Sequence, residues 1–152
     1  MTQQTEETIV RNTLLRMRLI DADEFPPITP LAGGVSSQAT GQDSIAIGTN
    51  AQATQTGAVA IGRNAVANGD PATAVGDSSV ASGTNSSAFG YQAQATGTNA
   101  AALGTQSLAS GSGSIASGVG AIANNVNSVA VGTAAHAGAA NATRSEEHTS
   151  EL

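Results

Sequence analysis

A glycine recurs every fourteen residues through the middle of the chain, and this repeat constrains the fold more than any other feature. An alanine stands two residues before each of these glycines. The period does not drift over eight positions, which are Gly34, Gly48, Gly62, Gly76, Gly90, Gly104, Gly118 and Gly132. A fixed period of this kind is typical of stacked repeat proteins, in which each unit packs only against its neighbours.

Further glycines lie halfway between the first set and divide each unit into two segments. They are Gly41, Gly69, Gly83, Gly97 and Gly111, with Gln55 and Asn125 at the same place in two units. A glycine in every seven residues would destabilise a helix by about 1 kcal/mol each, so a helix is excluded. The halfway positions predict turns with left-handed backbone, which Gly and Asn adopt readily.

The segments between the glycines are short and have the residue types of β-strands. Examples are Ser44–Ile47, Ala58–Ile61, Ala72–Val75 and Ser128–Val131. Each unit therefore supplies two short strands and two turns, and its neighbours stack on it at about 4.8 Å per rung. Seven or eight rungs form a rod of roughly 35 Å.

The sizes of the residues predict which side of each strand faces inward. Three columns contain only Ala or Ser: the Ala46 to Ala130 column, the Ala53 to Ala137 column and the Ala51 to Ala135 column. A coil this narrow has no room for a larger side chain. The alternation of a strand then directs the neighbouring residues outward.

An apolar set on the outer side of the first strand predicts a contact between identical chains. The set is Ile45, Ile47, Val59, Ile61, Val75, Phe89, Leu103, Ile115, Val129 and Val131. A single coil would expose this set to water as one long patch, which implies a partner surface. Identical rods that pack around a common axis would bury it.

A second column, on the outer side of the second strand, is a candidate adhesive face. Its members are Gln52, Val66, Val80, Gln94, Leu108, Ile122 and His136. Apolar side chains on a stiff rod suit a fibrous or repetitive target, and oligomerisation would multiply weak contacts. The alternative is a second contact between subunits.

Composition excludes several classes of function. Leu, Ile, Val and Phe make up only about 18% of the chain, which is too little bulk for an ordinary compact enzyme. Five Arg, no Lys and a net charge of −6 argue against nucleic-acid binding. The chain has no Cys, and no run of eighteen apolar residues predicts a membrane span. Residues 1–20 also lack the features of a secretory signal.

No catalytic, cofactor or metal site is predicted. His136 has no partner for acid–base chemistry and is interpreted as an incidental surface residue. The segment Gly111–Ala116 and its neighbour Gly118–Ala123 superficially match a dinucleotide fingerprint, but both follow the repeat and precede no helix. Asp43, Asp70 and Asp77 are interpreted as turn residues, because no regular ligand ladder accompanies them.

The two ends of the chain differ from the repeats in composition. Residues 1–30 predict a short helix followed by a Pro-containing linker, with a short coiled coil as the alternative. The repeats occupy residues 31–143. The last segment, residues 144–152, corresponds to the translation of a widely used sequencing adapter, so we expect it to be a non-native tail in which Arg144 interrupts the register.

The units Ser44–Gly48 and Ser128–Gly132 resemble the YadA-like head repeat of trimeric autotransporter adhesins, over roughly residues 32–143. The resemblance implies a left-handed parallel β-roll, an all-β solenoid that assembles as a homotrimer. It further implies a surface adhesin and virulence factor on the outer membrane of a Gram-negative bacterium. Such adhesins attach to host cells, extracellular matrix or other surfaces, without enzymatic activity.

Two other functions stay open at this point. A complete member of the family has an export signal, a coiled-coil stalk and a C-terminal membrane anchor, and none of them is predicted in this sequence. Similar rolls are expected in bacteriophage tail fibres, which need no secretion signal and serve host recognition. The third hypothesis is a passive fibre spacer that binds nothing itself.

Overall fold

The computed structural model describes residues 30–145, which form a parallel β-solenoid of two sheets. The first sheet contains β1 (Leu31–Gly33), β3 (Ile45–Ile47), β5 (Val59–Ile61), β7 (Ala72–Val75), β9 (Ser86–Phe89), β11 (Ala101–Leu103), β13 (Ile115–Ser117), β15 (Val129–Val131) and β17 (Thr143–Ser145). The second contains β2 (Gln38–Ala39), β4 (Gln52–Ala53), β6 (Val66–Ala67), β8 (Val80–Ala81), β10 (Gln94–Ala95), β12 (Leu108–Ala109), β14 (Ile122–Ala123) and β16 (His136–Ala137). In the described range, no helix has the length and apolar character to cross a membrane.

Every strand pairs in parallel with the strands one rung before and after it, at an offset of one repeat. Ile45 lies opposite Val59 and Ala46 opposite Ala60, and Gln52 of the second sheet lies opposite Val66. The predicted all-β solenoid of repeats is therefore confirmed. Most first-sheet strands are a residue shorter than the sequence predicted, since β3 and β5 begin at Ile45 and Val59.

The core between the two sheets consists of small side chains, as the sizes predicted. The buried hydrophobic residues are all Ala, including Ala46, Ala53 and Ala60, which have no exposed surface. Six Ser residues are buried among them. The Ser44 hydroxyl donates to the Gly41 carbonyl at 2.6 Å, and the Ser107 hydroxyl donates to the Gly104 carbonyl at 2.8 Å. Four of the six buried Ser residues satisfy the hydroxyl at the preceding turn in this way, whereas those of Ser86 and Ser114 have no partner.

The fourteen-residue glycine column is required for two reasons, which Gly76 illustrates. Its φ is +135°, a conformation that side chains rarely adopt. A Cβ on Gly76 would also lie 2.4 Å from the carbonyl oxygen of Gly90 on the next rung. Stacking at β-sheet spacing therefore excludes any side chain here.

The prediction of left-handed backbone at the halfway glycines is wrong. Gly83 is absent from the positive-φ residues, and it is required for space, since a Cβ there would lie 2.0 Å from the carbonyl oxygen of Gly97. Left-handed backbone near φ 55° instead occurs in both corners, as at Asn50 (φ 58°) in the first corner and Asn85 (φ 54°) in the second. At its glycines the halfway column is thus a close approach of backbones and not a special turn conformation, whereas the rungs of Gln55 and Asn125 accommodate a side chain at the same place.

The two terminal segments predicted from the sequence lie largely outside the described residues. The proposed helix and linker of residues 1–30 fall there except for Pro30, and so does most of the proposed adapter tail. The register continues through Arg144, which pairs with Ala130 in the final strand. Arg144 takes the place of a core Ala, but its side chain is exposed on this last rung.

Candidate functional site

The apolar residues of the first sheet form one continuous exposed surface. We call this surface the apolar stripe, and it has two lanes. The proximal lane is Ile45, Val59, Thr73, Ser87, Ala101, Ile115 and Val129, and the distal lane is Ile47, Ile61, Val75, Phe89, Leu103, Ser117 and Val131. Phe89 is 42% exposed and Val131 is 45% exposed, while the intervening core Ala residues are buried. The stripe contains no charged side chain.

The strand geometry explains why the stripe is continuous. Alternate residues of a strand point to opposite faces, so each Ala that faces the core places its two neighbours on the outside. Because the parallel register repeats without a shift, these neighbours stack above one another on every rung. Ten of the stripe positions are the residues predicted as a subunit contact. The structure brings all ten together on one face.

The outer column lies on the opposite face of the roll, on the second sheet. Its members are Gln52, Val66, Val80, Gln94, Leu108, Ile122 and His136, and they stack in parallel register. Gln94 and His136 are exposed, whereas Val66, Val80 and Leu108 are partly buried. The column is thus a mixed surface, with polar residues between the apolar ones.

Polar ladders line the two corners between the sheets. The Asn50 side-chain amide donates to Asn64 at 3.2 Å, Gln106 donates to Gln92 at 3.2 Å, and Asn127 donates to Asn141 at 3.2 Å. Each bond links residues fourteen apart, so it joins two consecutive rungs. These residues are not among those predicted from the repeat, although their fourteen-residue recurrence is visible in the sequence. The corners therefore carry polar contacts along the axis of the rod.

One ion pair also joins two rungs at the first corner. The Arg63 guanidinium donates to a carboxylate oxygen of Asp77, with Nε at 3.1 Å, and the Ser78 hydroxyl donates to the other oxygen at 2.7 Å. The hydrogen bonds from Ser78 and then Arg63 lower the pKa of Asp77 from its ordinary value. The same pairing raises the pKa of Arg63. Because Arg63 is exposed and Asp77 is only half-buried, the pair contributes little to stability.

The second corner has a defect at Pro71. Seven residues at the equivalent position have φ between 53° and 67°, and Asn99 is one of them. A proline ring cannot adopt a positive φ, and its nitrogen has no hydrogen to donate. A cavity of about 220 Å³ opens beside it, lined by Pro71, Ala72, Thr73, Asn85, Ser86 and Ser87.

The defect removes backbone hydrogen bonds that other rungs make. Asn99 donates to the Thr84 carbonyl at 2.8 Å, but Pro71 cannot make the equivalent bond, and Asn85 does not make it either. The Ala58 amide donates to Gln55 at 3.1 Å in its own turn, and Ala72 lacks this bond. The Ser86 hydroxyl is buried without a partner next to the same corner, and so is the Ser114 hydroxyl on a rung whose corner bonds are intact. Pro71 is not among the residues predicted from the repeat, although a Pro in a column of Asn, Asp and Gly is a visible signal.

The remaining sequence candidates do not converge on a chemical site. His136 is exposed in the outer column, and Asp77 is engaged with Arg63. Asp43 has a φ of 57°, which fits its interpretation as a turn residue. The segment Gly111–Ala116 runs into β13 as part of the roll. Over residues 30–145, no group of three His, Cys, Asp or Glu side chains is arranged to hold a metal ion.

Comparisons with known proteins point to one family. The family model described as the YadA head domain repeat matches residues 39–65 and, in overlapping copies, residues 67–143, which together exceed half of the chain. The solved structure of the collagen-binding domain of the Yersinia adhesin YadA is similar, with a TM-score of 0.60 and 25% sequence identity. The similarity covers 84% of this chain and 86% of that structure. The search of curated protein sequences found no match.

Proposed function

Because the chain belongs to the family of YadA head domain repeats, we propose that it is the head of a trimeric surface adhesin that attaches to extracellular matrix. The proposal includes display on the bacterial outer membrane. It is supported by two different surfaces on opposite faces of one roll, the apolar stripe and the outer column. A head that both assembles and adheres needs two such faces.

The apolar stripe is proposed as the trimer interface. Its exposed members include Ile47, Phe89, Leu103 and Ile115, and each of them is about 40% exposed in the single chain. An uncharged apolar strip of this length is typical of a surface that a partner covers. A ring of identical rods buries it with one repeated contact.

The outer column is proposed as the adhesive face. The described rungs carry five charged side chains, Asp43, Arg63, Asp70, Asp77 and Arg144, and none of them is in this column. Adhesion through it would therefore depend mainly on apolar contacts and would be insensitive to salt. Three parallel columns on one trimer would add their contacts on a repetitive target such as collagen.

The test compares the full chain with a variant that carries Val66→Ser, Val80→Ser, Leu108→Ser and Ile122→Ser together. We expect binding to immobilised collagen to fall at least about tenfold while the oligomer mass, measured by analytical ultracentrifugation, stays unchanged. The matched control carries Gln52→Ser and Gln94→Ser in the same column and keeps most of the binding. Loss of the oligomer in the fourfold variant would assign the column to assembly.

Two results would overturn the adhesin proposal itself. A parent chain that forms trimers but binds neither collagen nor another matrix protein would favour the passive spacer. Binding to a bacterial cell surface in place of matrix would favour the tail fibre. A folded monomer would contradict the proposed trimer.

A further inference from the structure

Two asparagines at the second corner begin the sequence Asn-x-Ser/Thr, which is the acceptor motif of N-linked glycosylation. They are Asn85, in the tripeptide Asn-Ser-Ser of residues 85–87, and Asn141, in the tripeptide Asn-Ala-Thr of residues 141–143. The other asparagines of the chain lack a hydroxyl residue two positions later. A motif of three residues also arises by chance, so the surroundings of each asparagine decide whether it is an acceptor.

The side chain of Asn85 is exposed, and it has no hydrogen-bond partner among the described residues. Asn141 differs, because its carboxamide oxygen accepts a hydrogen bond of 3.2 Å from Asn127 on the rung before. Pro71 lies on the rung before Asn85, and its ring carries no hydrogen-bond donor. The carboxamide nitrogen of Asn85 (Nδ2) is therefore open to a reaction partner, while Asn141 is held in a ladder.

A cavity of about 220 Å³ adjoins Asn85 and is also lined by Pro71, Ala72, Thr73, Ser86 and Ser87. A cavity of about 150 Å³ holds a benzene ring, so this space accommodates one sugar ring. The lining residues supply carbon surface at Pro71 and Ala72 and hydroxyl groups at Thr73 and Ser87. A pyranose ring presents the same two kinds of group, CH faces and hydroxyls.

The backbone around Asn85 is held by fewer hydrogen bonds than the equivalent backbone of the following rung. The Asn99 amide donates to the Thr84 carbonyl at 2.8 Å, and the Ala100 amide donates to Gly97 at 3.2 Å. The Asn85 and Ala72 amides make neither of these bonds. Local opening requires less free energy where backbone hydrogen bonds are missing, so a transferase can reach residues 85–87 without unfolding the roll.

We propose that Asn85 is an N-glycosylation site and that the first sugar of its glycan lies in the cavity beside Pro71. The donor is a hexose activated at C1 by a nucleoside diphosphate. A bond forms between Nδ2 of Asn85 and C1 of the hexose, while the bond between C1 and the diphosphate oxygen breaks and its electron pair leaves with the diphosphate. The proton that Nδ2 gives up passes to a base of the transferase.

The modification goes beyond the proposed adhesin function and does not require it. The second corner follows the strands of the second sheet and precedes those of the first, so a glycan there leaves the outer column uncovered. A sugar in the cavity also offers hydroxyl oxygens to the unpaired amide hydrogens of Ala72 and Asn85. The glycan therefore covers the one corner at which Pro71 interrupts the hydrogen bonding of the described rungs.

Intact-mass spectrometry of the full chain tests the site. The chain is incubated with UDP-glucose and a soluble bacterial transferase that modifies Asn-x-Ser/Thr, and we expect its mass to increase by one hexose. Asn85→Gln and Ser87→Ala should each remain unmodified, whereas Ser87→Thr should be modified like the parent. Ala101 and Thr73 occupy the same lane as Ser87, so both variants at Ser87 should keep the circular dichroism spectrum of the parent.

Ala101→Ser, combined with Asn85→Gln, is the matched control for the cavity. It completes the same motif at Asn99, which is exposed at the equivalent position with a φ of 55° but belongs to a corner with intact hydrogen bonds. Asn99 in this variant should be modified more slowly than Asn85 in the parent. Equal rates would overturn the role assigned to the open corner.

Amide hydrogen exchange of the modified chain tests where the sugar lies. Exchange at Ala72 and Asn85 should slow after modification, and unchanged exchange would place the sugar outside the cavity and overturn that part of the inference. Two results would overturn the site itself. One is a folded chain that stays unmodified while a synthetic peptide of residues 82–90 is modified, and the other is a hexose that Asn85→Gln retains at Asn141.

Discussion

Replacing Pro71 by Asn should stabilise the roll, although it changes a single exposed corner. Asn is the residue at the equivalent position of four rungs, at Asn85, Asn99, Asn127 and Asn141, where φ is between 53° and 57°. The substitution returns an amide hydrogen that can donate to the Thr56 carbonyl. It also permits the bonds that Asn85 and Ala72 fail to make in the present corner.

The expected gain follows from those three hydrogen bonds. A backbone hydrogen bond contributes about 1 kcal/mol net, which gives about 3 kcal/mol. Losing Pro increases the entropy of the unfolded chain and costs about 1 kcal/mol, and left-handed backbone costs Asn a fraction of that. The free energy of unfolding should therefore rise by about 1 to 2 kcal/mol per chain. For a domain of this size, that is a rise in Tm of about 3 to 8 °C.

Thermal unfolding followed by circular dichroism measures the gain, and amide hydrogen exchange locates it. The Ala72 and Asn85 amides should exchange faster than those of Ala100 and Asn99 in the parent and at similar rates in Pro71→Asn. The matched control is Asn99→Pro, which removes the 2.8 Å bond to Thr84 and should lower Tm by more than the first variant raises it. A lower Tm for Pro71→Asn, or unchanged exchange at Ala72 and Asn85, would refute the reasoning.

Three further changes test the core, the backbone contact and the ion pair. Ala88→Leu inserts a large side chain where no surface is exposed, and it should prevent folding. Its control, Ala101→Leu on the apolar stripe, should leave the circular dichroism spectrum unchanged. Gly83→Ala places a Cβ 2.0 Å from the Gly97 oxygen and should destabilise by about 1 to 3 kcal/mol. Gly120→Asn, with nothing within 4 Å of the added Cβ and a φ of 66°, should be neutral. Equal urea midpoints for the two variants would contradict this. Asp77→Asn should lower Tm slightly above pH 3.8, because the pKa of Asp77 is lowered in the folded state. The contribution of the ionised carboxylate is present above pH 3.8 and is lost as the pH falls from there through the lower pKa of the folded state. A difference in Tm that does not change with pH would argue against the ion pair.

The repeat alone was enough to predict the solenoid, the Ala core and the exposure of the stripe. These features follow from size and alternation, which a sequence displays directly, as in the step from Ala46 to Ile47. The reason for the halfway glycines could not be predicted, because it depends on the distance between Gly83 and the Gly97 oxygen of the next rung. The cavity at Pro71 also needed the structure, since its cost lies in bonds that Asn85 and Ala72 fail to make.

The same geometry indicates where the specific function of this head is encoded. Glycine columns such as that of Gly76 and the Ala core are fixed by stacking, so they would be the same in any roll of this period whatever it binds. Only the stripe, the outer column and the exposed corner positions tolerate side chains of different size. Tyr91 and Val119, at one corner position, are 48% and 52% exposed and differ from the Thr49 of an earlier rung. Differences in binding between such heads should therefore follow substitutions at these outward positions, and exchanging the outer column between two rolls should exchange their targets without altering their stability.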